Sequence, residues 1–478
     1  MSERSFTLED QRDFAALSGD WNPLHVDPLT ARRSQFGRPL VHGMHLLLWA
    51  LDQLVPTCPA AVLAKISCTI RNPVGIDEGV SCRLVEQKEA AFKIAIENSA
   101  GPCATLQFEL ATIAQKAAVA FAGNAPSIGV CRELSADELS GARGTLPIEA
   151  SPGQLRTHFP RLSAMFPYGQ LALIVATTRL VGMECPGLHS IYSDLSIDFS
   201  ESGLSEIPGQ LDWSVDNYDE RFRRLSIDFS TVGAKGAITA MLRPGPQSQP
   251  TTTELKEKLS RAGAFSGQKA LVIGGSRGLG ELCAKLLAAG GADVRLTYSR
   301  GKVDAEAVVA DIRSAGENAA FFEYDIFNPE GKLAEHLNSG WQPSHVYYFP
   351  TPPIFVAARG KFSQELFSRF CQYYVEGFYA CYTRVREITS EPVSLFYPSS
   401  VAVETVFPSM GEYAAAKAAG ENLCKFIEAC DRKVKVHVSR LPRLPSDQTL
   451  SVMEVETDAP IETMLAFIDN AKATGNRT

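Results

Sequence analysis

Hydrophobic and polar positions follow two different rhythms along this chain, and the change falls near residue 245. In the first part, Gly43 opens the run Met44-His45-Leu46-Leu47-Leu48-Trp49-Ala50-Leu51, whose near-continuous apolar character predicts a buried helix. An alternating strand, Ala64 to Ile70, follows it. The same order then returns. Gly169 opens Gln170 to Ala176, a break falls at Cys185-Pro186-Gly187, and Tyr192 to Phe199 alternates as a second strand. Both copies run on into period-two segments, around 80–110 and 210–242, so one helix wrapped by antiparallel strands occurs twice in tandem. Pro244-Gly245-Pro246, Ser248, Pro250 and three threonines then read as a linker. Beyond it, strands alternate with helices. Lys269–Ile273 is a buried strand, a glycine-rich turn leads into helix Glu281–Ala289, and Asp293–Tyr298 is the next strand, the signature of a parallel sheet.

At 478 residues the chain has room for two to four domains with real cores. Its net charge of -8 and lack of any long basic run argue against nucleic acid as a partner. The densest basic cluster, Arg221, Arg223 and Arg224 around Phe222, is expected on a solvated strand face. No apolar stretch approaches the length of a membrane span, and the start Met1-Ser2-Glu3-Arg4 lacks the pattern of a secretory leader, so no membrane and a cytoplasmic location are expected. The 11 cysteines lack C-x-x-C spacing, which predicts reduced thiols and no metal site.

Two segments carry candidate chemistry. The first is Ser18-Gly19-Asp20-Trp21-Asn22-Pro23-Leu24-His25-Val26-Asp27, with Val41-His42-Gly43-Met44 downstream. It gathers a carboxylate, an amide and an imidazole in a Gly/Pro-bent stretch expected to be neither regular helix nor strand. Asp27 is placed to cap a helical turn starting at Pro28. An acid/base pair beside a helix N-terminus suits proton transfer next to a thioester carbonyl.

These residues resemble the MaoC-like (R)-specific enoyl-CoA hydratases and dehydratases of the hot-dog fold. The resemblance implies that Asp20 and His25 position and deprotonate water, or in reverse remove the 2-proton and expel hydroxide. Asn22 would orient the loop and substrate, and the Gly43 N–H would polarise the thioester carbonyl. His42 would support the turn and His45 would serve packing. The second copy has Tyr168-Gly169-Gln170 where the first has His42-Gly43-Met44, and His158 alone upstream. It is expected to be non-catalytic and to shape an acyl tunnel.

The second segment runs Gly274-Gly275-Ser276-Arg277-Gly278-Leu279-Gly280 directly after a strand, where glycines let backbone N–H groups approach a pyrophosphate. Far downstream stand Ser400 and Tyr413-Ala414-Ala415-Ala416-Lys417; Tyr413 and Lys417 share a helix face. The set resembles short-chain dehydrogenases/reductases, in particular 3-oxoacyl-thioester reductases. That resemblance implies Tyr413 as proton donor, Lys417 lowering the phenol's pKa, and Ser400 bonding the substrate oxygen. It also implies cofactor contacts from Gly274, Ser276, Arg277, Gly278, Leu279, Gly280, Ser299, Arg300, Asp325, Tyr413 and Lys417. Strand Asp293–Tyr298 ends without an acid at Ser299-Arg300, and Arg277 lies in the glycine loop, so NADP(H) is the expected cofactor. The family's N-A-G is replaced around Tyr347-Tyr348-Phe349-Pro350-Thr351, its relay asparagine near Tyr374, and its P-G at Leu441-Pro442-Arg443.

The expected architecture is an α+β double hot dog followed by an α/β Rossmann domain, a doubly wound parallel sheet. Its parts are a catalytic hot dog over 1–115, a second over 116–245, a linker over 246–265 and a reductase domain over 266–478. The expected activity combines NADPH-dependent 3-oxoacyl reduction with (R)-3-hydroxyacyl dehydration or trans-2-enoyl hydration. Its substrates would be CoA or acyl-carrier-protein thioesters, and a homodimer is expected. One alternative is an active hydratase with a degenerate nucleotide-binding domain; another is a non-catalytic acyl-carrier docking protein.

Overall fold

A computed structural model of the protein describes residues 2–56, 61–112, 123–200, 209–328, 332–337, 340–355, 360–405, 407–450 and 457–469. The boundary expected between 115 and 116 lies outside the described residues. Contacts divide the chain into two compact units, one built mainly from residues 1–245 and the other mainly from residues 246–478.

The first unit is a ten-stranded antiparallel sheet wrapped around two buried helices. Its strands are β1 (Ser2–Ser5), β2 (Ala61–Ile70), β3 (Gly79–Lys88), β4 (Ala91–Asn98), β5 (Gly101–Thr112), β6 (Arg143–Pro147), β7 (Ser190–Phe199), β8 (Gln210–Asp219), β9 (Arg224–Thr231) and β10 (Ala234–Leu242). They lie in the order β1-β3-β4-β5-β2-β7-β10-β9-β8-β6. The two halves join where β2 pairs with β7, with Ile66 opposite Ile197 and Cys68 opposite Leu195. Helices Gly43–Leu54 and Tyr168–Arg179 are the two fillings, and almost every residue of both is buried or partly buried because protein surrounds them. This is the double hot dog that the repeat implies.

Two local expectations differ. The Gly/Pro-bent segment does contain regular structure: single helical turns Pro23–Val26 and Pro28–Ala31, each with proline at its start and capped by the side chains of Asn22 and Asp27. Proline's fixed φ suits a first helical position, so bend and helix coexist. Only Arg224 of the arginine cluster lies on an exposed strand face, as the first residue of β9. Arg221, Phe222 and Arg223 form the tip between β8 and β9, with Arg223 at φ 49 and Arg221 stacked over the Phe222 ring.

The second unit is a six-stranded parallel sheet: β11 (Lys269–Ile273), β12 (Asp293–Tyr298), β13 (Ala319–Glu323), β14 (His345–Tyr348), β15 (Val393–Ser400) and β16 (Val434–Leu441). The order β13-β12-β11-β14-β15-β16 is the doubly wound arrangement, in which ligands bind at the carboxyl ends of the strands. Part of the expected linker is structured. Thr251 caps helix Thr252–Lys258, whose Leu255 is fully buried and whose Thr252 hydroxyl donates to Asp311 at 2.7 Å, so the second unit begins at Pro246. One buried leucine and a capping box outweigh the local proline content. Among the described residues, no helix is long and apolar enough to cross a membrane.

Candidate active sites

Helix Leu8–Ser18 ends at Gly19 in a left-handed conformation, φ 75, which turns the chain so that Asp20 points inward. Asp20 is almost wholly buried. Its Oδ1 accepts from the Asn22 N–H at 3.2 Å and its Oδ2 from the Thr178 hydroxyl at 2.7 Å. His25, on the next helical turn, is half-buried. Its Nδ1 lies 2.9 Å from the Leu40 carbonyl, which can only accept, so Nδ1 carries the hydrogen and Nε2 is left with a lone pair. The His42 ring stacks on it at 3.9 Å between centroids, with Nε2 3.0 Å from the Asp20 carbonyl and Nδ1 3.0 Å from Gln11 Oε1. His42 therefore supports the turn, and buried His45 stacks on Phe14. Gly43 is the first residue of its helix, where N–H groups have no intrahelical partner.

Asn22 is placed differently from its expected substrate-orienting role. Its Oδ1 caps the turn by accepting from the Leu24 N–H at 3.0 Å. Its Nδ2 donates to the carbonyls of Gly182, Gly187 and Leu188 at 2.9, 3.2 and 3.4 Å. Protein groups use every polar atom of the amide, so Asn22 orients the loop only. The residues that sequence reasoning misses come from the second copy. Thr178 holds the Asp20 carboxylate, and a Cβ added at Gly182 would stand 2.2 Å from Asp20 Oδ1. Neither carries a local signal, because Thr178 reads as an ordinary helix position. Between the two helices, Met44, Leu47, Leu48, Leu51, Ile66, Cys68, Leu106, Ile174 and Leu195 line an apolar void of about 10 Å³.

Burial pushes Asp20 up to about 6, against the bonds from Thr178 and Asn22 that hold it down. Burial pushes His25 down to about 4, opposed by the Leu40 carbonyl and aided by the positive charge of Arg243. Near neutral pH the pair is thus a carboxylate close to its own pKa and an uncharged imidazole. Ligand atoms of Asp20, His25 and His42 lie within 4.8 Å of one another, a spacing that a divalent cation could use. Both His42 nitrogens are already engaged, which leaves two groups where metal sites ordinarily supply three or four.

In the second unit, β11 runs into the glycine loop and helix Gly278–Ala289. The loop fits a phosphate. Gly278 adopts φ 59 with open space where a Cβ would stand, and a Cβ at Gly280 would lie 2.2 Å from the Gly274 carbonyl. Ser276 and Leu279 belong to the same loop and helix start, and the Gly274 N–H donates to the Thr297 hydroxyl at 3.0 Å. Arg277 does not stand open to a ligand: it pairs with Asp447 at 3.3 Å. Ser299 and Arg300 are exposed at the tip of β12, and Arg300 lines a cavity of about 800 Å³ with Phe327, Arg369 and Tyr373. Asp325 holds a turn, accepting from the Phe327 N–H at 3.1 Å.

Ser400 ends β15 and its hydroxyl bonds the Tyr413 phenol. Tyr413 and Lys417 lie one turn apart on helix Gly411–Cys430. The expected effect of the lysine on the phenol is absent. Burial raises the Tyr413 pKa and only Ser400 opposes it, while Lys417 is itself pushed down to about 7 by burial. The ammonium donates to the Pro398 carbonyl at 2.6 Å and stands 3.9 Å over the Tyr374 ring, whereas the Tyr413 ring centre is 5.9 Å away. Tyr374, buried in a π-helical turn Gln372–Glu376, shares a 2.6 Å hydroxyl contact with Thr351. The aromatic face thus occupies the space beside the lysine.

Residues 2–101 match the family described as MaoC like domain, and residues 273–438 match the family described as Enoyl-(Acyl carrier protein) reductase. The chain is 39% identical over 77 residues to a mitochondrial 3-hydroxyacyl-[acyl-carrier-protein] dehydratase of Arabidopsis thaliana, covering 16% of this chain and 46% of that protein. It is 36% identical over 84 residues to an (R)-specific enoyl-CoA hydratase of Aeromonas caviae, covering 17% of this chain and 62% of that protein. The chain thus spans about half the length of these curated relatives. A solved short chain dehydrogenase from Burkholderia cenocepacia, in complex with NADP, is 25% identical, covering 39% of this chain and 78% of that one with a TM-score of 0.35.

Proposed function

We propose that this chain, which carries a MaoC-like domain at its N-terminus and a short-chain-dehydrogenase/reductase-like domain at its C-terminus, joins two consecutive reactions on one acyl thioester. The first unit interconverts trans-2-enoyl and (R)-3-hydroxyacyl thioesters. The second reduces the 3-oxoacyl thioester to the (R)-3-hydroxyacyl form with NADPH. The observation that carries the reading is the pairing of buried Asp20 with the free Nε2 of His25, supported by the similarity to an (R)-specific enoyl-CoA hydratase.

In the hydration direction, Asp20 and His25 hold a water against C3. His25 Nε2 accepts its proton as the hydroxyl oxygen bonds C3, and C2 gains a proton from the same pair. The Gly43 N–H, at the positive end of its helix, stabilises the charge that grows on the thioester oxygen. In the second unit, Gly274, Ser276, Gly278, Leu279 and Gly280 would hold the pyrophosphate. Arg300, Ser299 and Asp325 would hold the adenosine end, and bound NADPH supplies a hydride. Tyr413 gives its proton to the substrate oxygen that Ser400 orients, and Lys417 carries charge beneath them. The acid-free end of β12 supports NADPH over NADH, and we assign the preference to Arg300, since Asp447 already neutralises Arg277.

A second reading is an active hydratase joined to a slow reductase. The raised Tyr413 phenol and the aromatic cover on Lys417 favour it. Assays of crotonyl-CoA hydration and acetoacetyl-CoA reduction, each with and without His25→Ala and Tyr413→Phe, test both. The two-reaction reading expects each variant to lose one activity and keep the other. Reduction that Tyr413→Phe leaves unchanged overturns the reductase assignment, and hydration that His25→Ala leaves within about tenfold overturns the hydratase assignment.

A further inference from the structure

Arg243 follows β10 and is only 5% exposed, yet its charge has no carboxylate partner among the described residues. Its Nη2 donates to the Leu188 carbonyl at 2.8 Å, and its buried Nε has no hydrogen-bond partner. A guanidinium carries five donors, and burying one with a single neutral acceptor is a cost that a folded chain ordinarily offsets with an anion.

The location makes the imbalance informative. The Leu188 carbonyl that accepts from Arg243 also accepts from Asn22 Nδ2 at 3.4 Å, so the guanidinium borders the Asp20–His25 loop. It is near enough for its charge to act on His25 and on Cys131, whose thiol also feels Asp20. It does not neutralise Asp20, whose carboxylate is held by Thr178 and the Asn22 N–H. The charge helps to keep His25 neutral but is itself neutralised by no carboxylate among the described residues, and the guanidinium keeps a donor free for an anion brought by the ligand.

We propose that Arg243 binds an anionic group on the acyl chain itself, so that the first unit takes enoyl thioesters bearing a carboxylate near the double bond. The inference rests on the hydratase reading above. The phosphates of a CoA or carrier arm lie a whole pantetheine away from the reacting carbons, and the thioester oxygen falls to the Gly43 N–H.

Hydration kinetics on the full chain test this with two probes, crotonyl-CoA and trans-glutaconyl-CoA, which ends in a carboxylate. The parent chain should favour glutaconyl-CoA in kcat/KM. Arg243→Met should cost that substrate about tenfold to a hundredfold, mainly through KM, while crotonyl-CoA changes by less than about threefold. Arg243→Lys should recover part of the loss. Competitive inhibition of the parent chain by glutaryl-CoA and butyryl-CoA needs no variant, and the dicarboxylic compound should bind more tightly. Equal losses on both substrates, or butyryl-CoA binding as well as glutaryl-CoA, overturn the assignment of Arg243. Hydration of neither probe by the parent chain overturns the hydratase reading itself, which the crotonyl-CoA arm reports separately.

Discussion

The Thr178 hydroxyl donates a 2.7 Å hydrogen bond to Asp20 Oδ2, joining residues 158 positions apart. Thr178 belongs to the central helix of the second copy, which lacks the acid/base motif. The second copy is therefore part of the candidate site, since it positions the carboxylate of the first. A copy without the motif thus has a physical reason to stay packed against the copy that carries it.

Thr178→Val removes the hydroxyl and keeps the shape. The lost bond favours the ionised carboxylate, so the Asp20 pKa rises further above about 6. Hydration at neutral pH should fall by about tenfold or more, and the acid limb of its pH–rate profile should move to higher pH. A limb that stays in place would show that Thr178 does not hold Asp20.

Gly182→Ala places a Cβ against the Asp20 carboxylate and should abolish hydration while NADPH binding persists. The measurement is crotonyl-CoA hydration beside cofactor titration of the same sample. Retained hydration within about threefold would mean that the loop yields without loss of geometry.

Asp20→Asn should lose activity and gain stability at neutral pH. In the folded chain Asp20 holds its proton up to about 6, whereas an unfolded aspartate releases it near 3.9. Between those values the folded state binds more protons, so this group's contribution to stability falls as pH rises and is least above about 6. The gain of the asparagine variant over the parent should thus grow from pH 4 to pH 6 and then level off, on the order of 1–3 kcal/mol. Denaturant unfolding of the first unit at several pH values checks it, and a pH-independent difference would contradict the raised pKa.

Tyr374→Asn should alter the pH dependence of reduction. The ring beside Lys417 excludes water, and burial holds the ammonium near 7. A rate that needs the charged lysine declines as pH rises through that value. Replacing the ring with an amide restores solvation, favours the charged form and should move the alkaline limb up by about one pH unit. Tyr374→Phe keeps the aromatic face and should leave the limb where it is, so the two variants together separate desolvation from the Thr351 contact.

Arg300→Ala should shrink the preference for NADPH over NADH by about tenfold to a hundredfold, as loss of a charge-assisted phosphate contact would. Arg277→Ala should change it by less than about threefold, because its guanidinium is already paired with Asp447. Fluorescence titration with both cofactors decides between them; the reverse ranking would return the phosphate contact to the glycine loop.

Much of this architecture is written in near-neighbour spacing, where the physics is local. The shift from a repeated helix-and-strand unit to alternating strands and helices shows in hydrophobic period alone, and the two sheets follow it. The strand–glycine–helix run at 269–289, the common face of Tyr413 and Lys417, and the Asp20–His25 loop are equally local, set by turn chemistry and by one helical turn. What the sequence leaves open are contacts between residues with ordinary surroundings. Thr178, Gly182 and Arg243 look like plain helix, break and strand-end positions, yet the fold sets Thr178 and Gly182 against the Asp20 carboxylate and Arg243 on the Leu188 carbonyl beside the loop. Asn22 resembles a ligand-facing amide until three carbonyls of the second copy claim it. Lys417 promises to lower the phenol's pKa until the fold lays Tyr374 across its ammonium. In each case the deciding term is burial and partnership, which depend on what the rest of the chain brings into contact, and no spacing along the chain encodes that.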